Sequence, residues 1–193
     1  MNLPRPAAVR RDEGSASFAL VIVGALAVLV VASGVKRARC GDKPTSVDHV
    51  DTIPDDYLKL YKKAGSDYGM PWTLLAGIGK VESGHGTSTL PGVHHGENHA
   101  GAGGPMQFLR TTWKSFRVDG NNDRRTSRYD PADAIPSAAK YLKHNGAPER
   151  TRTAVYMYNH SRDYVDLVLQ WADRYGDDND RAGARRSLCR KSD

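Results

Sequence analysis

The 193-residue chain has two cysteines, Cys40 and Cys189, and neither has the spacing of a metal-ligand pair. That excludes a cysteine-built metal centre. One cysteine lies in each flank; they could pair in an extracytoplasmic compartment, or stand as two free thiols. No stretch alternates convincingly at period two, which excludes a fold built on sheets. There is no internal repeat. The central part also lacks surplus positive charge. Of the net +6, residues 1–43 carry seven Lys/Arg against three Asp/Glu (+4) and residues 181–193 five against one (+4). Residues 44–180 carry sixteen against eighteen (−2). This argues against a nucleic-acid partner, which requires a basic face on the domain itself. Basic flanks suit anionic lipid or anionic wall polymers instead.

Long apolar runs are confined to one segment. Phe18 to Val35 is an uncharged stretch of apolar and small residues, just long enough to span a bilayer as a helix. Lys36, Arg37 and Arg39 follow it directly, and the run exceeds a usual signal-peptide core. It therefore reads as an uncleaved signal anchor. The competing reading is a secretory signal cleaved near Val31-Ala32-Ser33. Basic residues flank both ends, so charge does not fix the topology. The domain plan is a short tail at 1–17, the anchor at 18–35, a linker at 36–53, a folded domain at 54–176 and a disordered basic tail at 177–193.

Within 54–176 the apolar spacing predicts about six helices and an all-α class. Pro54 to Tyr68 forms the first, broken by Gly69. Pro71 suits the first position of the second, with Leu74, Leu75, Ile78 and Val81 at helical spacing and Gly84 as a left-handed cap. Glu82 lies four residues after Ile78 and seven after Leu75, so it continues the apolar stripe. Burial there would raise the pKa of a carboxyl and keep it protonated near neutrality, as a general acid requires. The plainer reading is a surface glutamate at a fraying helix end.

A glycine-rich loop over 84–104 follows, carrying His85, His94, His95 and His99. With no pair on a credible helix and no His-Glu-x-x-His, these read as cleft-wall or exposed histidines rather than a zinc set. Pro105 is expected to open a third helix, with Gln107 in its first turn and Met106, Leu109, Trp113 and Phe116 on one face. Asp130 caps a fourth at Pro131; Pro136 inside it should kink or restart it. Ala154, Val155 and Tyr158 mark a fifth. Tyr164, Val168, Trp171 and Tyr175 mark a sixth, capped by Ser161.

Four pieces occur in order: Lys80-Val81-Glu82-Ser83-Gly84-His85-Gly86, Gly104-Pro105-Met106-Gln107-Phe108, Asp130-Pro131-Ala132-Asp133-Ala134-Ile135 and Tyr158-Asn159-His160-Ser161. Each alone is weak. Together, over roughly residues 50–176, they resemble the lytic murein transglycosylases, in particular the membrane-bound transglycosylase B-like members of the SLT/lysozyme-like superfamily. The resemblance implies a lysozyme-like helical fold that cleaves peptidoglycan between N-acetylmuramic acid and N-acetylglucosamine without water, leaving a 1,6-anhydro end. It implies Glu82 as the single catalytic acid/base, and Gln107, Tyr158 and Asn159 along the sugar subsites. Ser83 and Met106 fall in the same motifs and join the substrate-binding set. No cofactor is implied. Glu97, in the glycine loop, could supply a second carboxylate, which would make the protein a hydrolytic muramidase like the goose-type lysozymes. A third reading is a non-catalytic wall-binding module.

Asp119, Asn121, Asp123, Arg125 (through its carbonyl), Ser127 and Asp130 have the ligand spacing of an EF-hand loop, which suggests structural calcium. Arg124 replaces the turn glycine and Asp130 the bidentate glutamate, and the arginines weaken the attraction for a cation. The alternative is a solvated turn with Asp130 serving only as helix cap.

Overall fold

The computed structural model describes the backbone of residues 53–190 and the side chains of residues 53–177. The 18–35 run, Cys40 and the Cys189 side chain lie outside the described residues. Among those described, no helix is long and apolar enough to cross a membrane.

Six helices carry the fold: α1 (Asp55–Tyr68), α2 (Trp72–Ser83), α3 (Arg110–Phe116), α4 (Pro131–His144), α5 (Thr151–Tyr158) and α6 (Arg162–Arg190). Asp55 and Asp56 in the first turn of α1 complement its dipole, and Gly69 ends it at φ 66°. Pro71 sits at the N-cap of α2, one residue earlier than expected, and Gly84 closes that helix in the left-handed region at φ 57°. The closing bonds run from Gly84 N to Lys80 O and from His85 N to Gly79 O. α2 is the central element. Leu74 through Gly79 are all buried, because α1 and α6 pack on it from two sides.

Glycine lets these neighbours approach α2 closely. A Cβ on Gly77 would stand 2.5 Å from the Val168 carbonyl oxygen of α6, and one on Gly79 would stand 1.9 Å from the Tyr61 hydroxyl of α1. In α4, Asp130 caps through its side chain, which accepts from Ala132 N, and Pro136 lies inside an unbroken helix. The carbonyl of Ala132, which Pro136 leaves without its usual helical donor, lies against Gly120, where a Cβ would stand 2.0 Å away. Ser161 caps α6, its hydroxyl accepting from Tyr164 N at 3.3 Å.

Three expectations change. Pro105 does not start a helix: a two-stranded antiparallel hairpin stands there, β1 (Ala102–Gly103) with β2 (Phe108–Leu109). Gln107 takes φ 47° in its turn, which no helical residue does, so the third helix begins only at Arg110. Leu109 accordingly leaves the apolar face and is 45% exposed, while Met106 and Phe108 stay in the core. Finally, α6 runs on to Arg190 rather than giving way to disorder at 177. Beyond Gly176 the segment has no proline, and its four arginines and two alanines favour the helix, so propagation continues through Gly183.

Candidate active site

Glu82 sits in the last turn of α2, beside the buried Leu75 and Ile78, where the stripe placed it. It is half-buried, so its carboxyl is packed among protein atoms while the residue keeps an open side. Burial lifts the carboxyl from 4.5 to about 7, against the opposing pull of one hydrogen bond. That bond comes from Tyr164 in the first turn of α6, whose hydroxyl donates to Glu82 Oε1 at 2.5 Å. Donation to Oε1 leaves Oε2 to carry the acidic proton. Tyr164 is itself held well above the usual phenol range, first by burial and then by the Glu82 charge.

Tyr158 packs against Phe108 and edge-on to Tyr141, and its hydroxyl donates to the Met106 carbonyl at 2.8 Å. Burial and the charge of Glu82 push its phenol well up too. Met106 is fully buried, so it offers its carbonyl rather than its side chain. Gln107 is held by its own hairpin: Nε2 donates to Gly104 O at 2.7 Å and Oε1 accepts from Asn98 Nδ2 at 2.9 Å. Ser83 is 2% exposed. Its hydroxyl donates to Pro105 O at 2.7 Å and accepts from Gly86 N at 2.7 Å, stapling the end of α2 to the hairpin. Asn159 is exposed at the C-cap of α5.

Two hydrogen bonds thus organise the site, Tyr164 to Glu82 and Tyr158 to the Met106 carbonyl, and the Glu82 charge bears on both phenols, while Ser83 fastens the same hairpin. Sequence reasoning left Tyr164 out of the site. It reads as one more apolar-stripe residue of α6, and its only sequence signal is its place five residues after Asn159.

Glu97 does not stand free. Its Oε1 is paired with the guanidiniums of Arg128 and Arg110, the latter at 2.5 Å. The Arg128 hydrogen bond, then that of Arg110, hold its carboxyl below the usual range. Among the histidines, His94, His95 and His99 are exposed. His85 is buried between two phenols, its Nδ1 3.1 Å from the Tyr61 hydroxyl and its Nε2 2.8 Å from that of Tyr175. Burial lowers its pKa from 6.5 to about 4. Two cavities lie elsewhere. One of about 300 Å³ lies between α1, the 118–122 segment and α4; one of about 390 Å³ lies within residues 89–97, and Glu82 lines neither.

The 119–130 loop turns inward on itself. Asp119 accepts from the backbone N–H of Asp123 and Arg124, and Asp123 accepts from Arg125 N. The Asn121 amide nitrogen donates to Asp130 at 3.1 Å and to Asp123 at 3.4 Å. Arg124, at the glycine position, takes φ 67°. Among the described residues no group of three or more His, Cys, Asp and Glu is disposed to hold a metal ion. The side chains of Asp119, Asn121, Asp123 and Asp130 are thus linked to one another and to the loop's own backbone N–H groups.

The profile of the transglycosylase SLT domain family matches residues 59–179. The chain belongs to this family. Its SLT domain is similar to membrane-bound lytic murein transglycosylase F of Marinobacter nauticus, at 27% identity over 145 residues, covering 71% of this chain and 26% of the relative. It is also similar to membrane-bound lytic murein transglycosylase B of Escherichia coli, at 39% identity over 56 residues, 29% of this chain and 16% of that one. The chain therefore spans about a quarter or less of the curated relatives it matches. Among solved structures, the Escherichia coli lytic transglycosylase SLT35 in complex with bulgecin A aligns with a TM-score of 0.54 at 16% identity, over 63% of this chain and 74% of that chain. The same enzyme in complex with calcium aligns at 0.52 and 17% identity over the same shares. At such identities the likeness shows the fold, a mostly helical SLT domain.

Proposed function

We propose that this SLT domain is a peptidoglycan lytic transglycosylase with Glu82 as its single acid/base. The observation that carries the reading is a carboxyl held near pKa 7 at the buried end of α2, with one oxygen fixed by Tyr164. Protonated Glu82 donates to the glycosidic oxygen, and the bond from that oxygen to C1 of N-acetylmuramic acid breaks. The carboxylate so formed takes the proton from the same sugar's C6 hydroxyl as O6 bonds to C1. The products are an N-acetylglucosamine hydroxyl and a 1,6-anhydro ring. Glu82 recovers its proton, and no water is consumed. A pKa near neutrality suits both halves of this exchange. Tyr158, Gln107 and Asn159 border the sugar path in this reading. Met106 and Ser83 shape it through the backbone and the hairpin staple.

A hydrolytic muramidase needs a second carboxylate to activate water or act as nucleophile. Glu97 is engaged by two arginines and acidified by them, which supports the one-carboxylate route. The 18–35 run, together with relatives named as membrane-bound, supports an anchored, extracytoplasmic enzyme acting on glycan strands.

Digestion of purified peptidoglycan followed by mass spectrometry tests the reaction. Anhydromuramoyl ends are expected; reducing ends with no anhydro product would make it a hydrolase. Glu82→Gln should lower turnover by about 10²–10⁴-fold, the usual contribution of a general acid. Unchanged turnover in that variant would reassign the acid, and no turnover by the wild type would leave a wall-binding module. Deleting residues 1–43 should move the protein from the membrane to the soluble fraction on ultracentrifugation.

A further inference from the structure

Arg128 ends the 119–130 loop, directly before Tyr129 and the Asp130 cap of α4, and is only 7% exposed. A guanidinium so buried needs acceptors around its fork of N–H donors. It finds them on the hairpin and the glycine loop. Nη1 donates to Phe108 O at 3.0 Å and to Gly101 O at 3.4 Å. Nη2 donates to the Tyr129 hydroxyl at 3.0 Å and to Glu97. Tyr129 in turn donates to Gly96 O at 2.5 Å. The two carbonyls bracket the hairpin, one just before β1 and one on β2.

The hairpin is shaped to receive this side chain. A Cβ on Gly103 would stand 3.0 Å from Arg128 Cζ, and one on Gly104 would stand 1.7 Å from the Arg128 carbonyl oxygen. Between the bracketed carbonyls lies the turn that carries Met106 and Gln107, the latter at φ 47°. Gln107 is tied to Asn98, the immediate neighbour of Glu97. Arg128 therefore grips both sides of the turn: directly through Phe108, and through Glu97 along the loop to Asn98 and the Gln107 amide.

We propose that Arg128 is a positioning residue that sets the β1–β2 hairpin, and through it Gln107, for binding the glycan strand. The substrate in this statement rests on the transglycosylase reading of the cleft. Lysine cannot replace Arg128 here, because a compact ammonium cannot span two carbonyls, a phenol and a carboxylate as a planar fork does.

The test is a double-mutant cycle on binding and turnover. Dissociation constants for a purified glycan-strand oligosaccharide are measured by calorimetry in the full chain carrying Glu82→Gln. To that background are added Arg128→Lys, Gln107→Ala, both together, and the milder Glu97→Gln. KM and kcat are read in the same variants with Glu82 intact. Arg128→Lys is expected to weaken binding and raise KM about tenfold, with kcat changed less than threefold. Added to Gln107→Ala it should have little further effect, since both act on one contact. A merely structural role would lower the melting temperature and active fraction while leaving the KM of the folded enzyme unchanged. If Arg128→Lys fails to fold, Glu97→Gln carries the same comparison and is expected to raise KM about threefold. Unchanged affinity in whichever of the two folds, or full additivity with Gln107→Ala, overturns the proposal. A wild type that binds the oligosaccharide but yields only reducing ends overturns the transglycosylase reading alone. A wild type that binds no glycan overturns both.

Discussion

Glu82 and Tyr164 are 82 positions apart and share one hydrogen bond, and the acid depends on both partners of it. The phenol donates to the carboxylate, so it favours the charged form, while burial favours the neutral one. Tyr164→Phe removes only the first influence. The pKa of Glu82 should then rise above about 7, moving the basic limb of the kcat/KM profile to higher pH. A pH–rate series checks this; a limb that stays put would mean Tyr164 does not act on the acid. A raised carboxyl pKa also has a stability sign. Folding favours the protonated form, so wild type loses stability as pH rises from 4.5 through about 7. Glu82→Gln escapes that loss. Its advantage should be near zero below pH 4.5 and approach roughly 3 kcal/mol at most above pH 7, read as the gap between urea midpoints. At this scale the sequence placed Glu82 correctly, because a helical stripe is a local pattern. It could not place Tyr164 against it, since that pairing is made by how α6 lies on α2.

At the scale of one element, the end of α2 holds two groups with opposite titrations. His85 is lowered from 6.5 to about 4, mainly by burial, so the folded state resists its protonation. Its contribution is therefore complete above pH 6.5 and is lost as pH falls toward 4. Glu82 changes stability in the other sense across nearly the same interval. The two slopes offset each other, and the wild-type curve should be nearly flat between pH 4.5 and 6.5. His85→Gln should expose the Glu82 slope, with stability falling as pH rises; Glu82→Gln should expose the His85 slope. Paired denaturation series decide it, and parallel curves for the two variants would refute the assignment. The hairpin shows where element reading stops. Gly104-Pro105-Met106-Gln107 follows a glycine run and precedes apolar residues at helical spacing, so it reads as a helix start. Gln107 turns left-handed within this stretch, and the buried Arg128 that grips the turn lies about twenty residues downstream, which no local pattern reports.

For the molecule as a whole, class and helix number were legible because six amphipathic stripes are separated by Gly, Pro and Asn punctuation. Pro136 and the end of α6 were not. The one is accommodated by Gly120 against the freed Ala132 carbonyl; the other has no proline to stop it before Arg190. The contact between Gly77 and α6 sets a further limit. Gly77→Ala would drive a methyl into the Val168 main chain 2.5 Å away, where no side chain can swing aside. The helices must part, at a cost of about 1–3 kcal/mol, which calorimetry would register as a lower melting temperature. With main chain abutting main chain, the axis of the acid-bearing helix is not an adjustable quantity. Evolutionary changes in the strength of this acid are thereby channelled into the side chains that face it, and the backbone is left with almost no say.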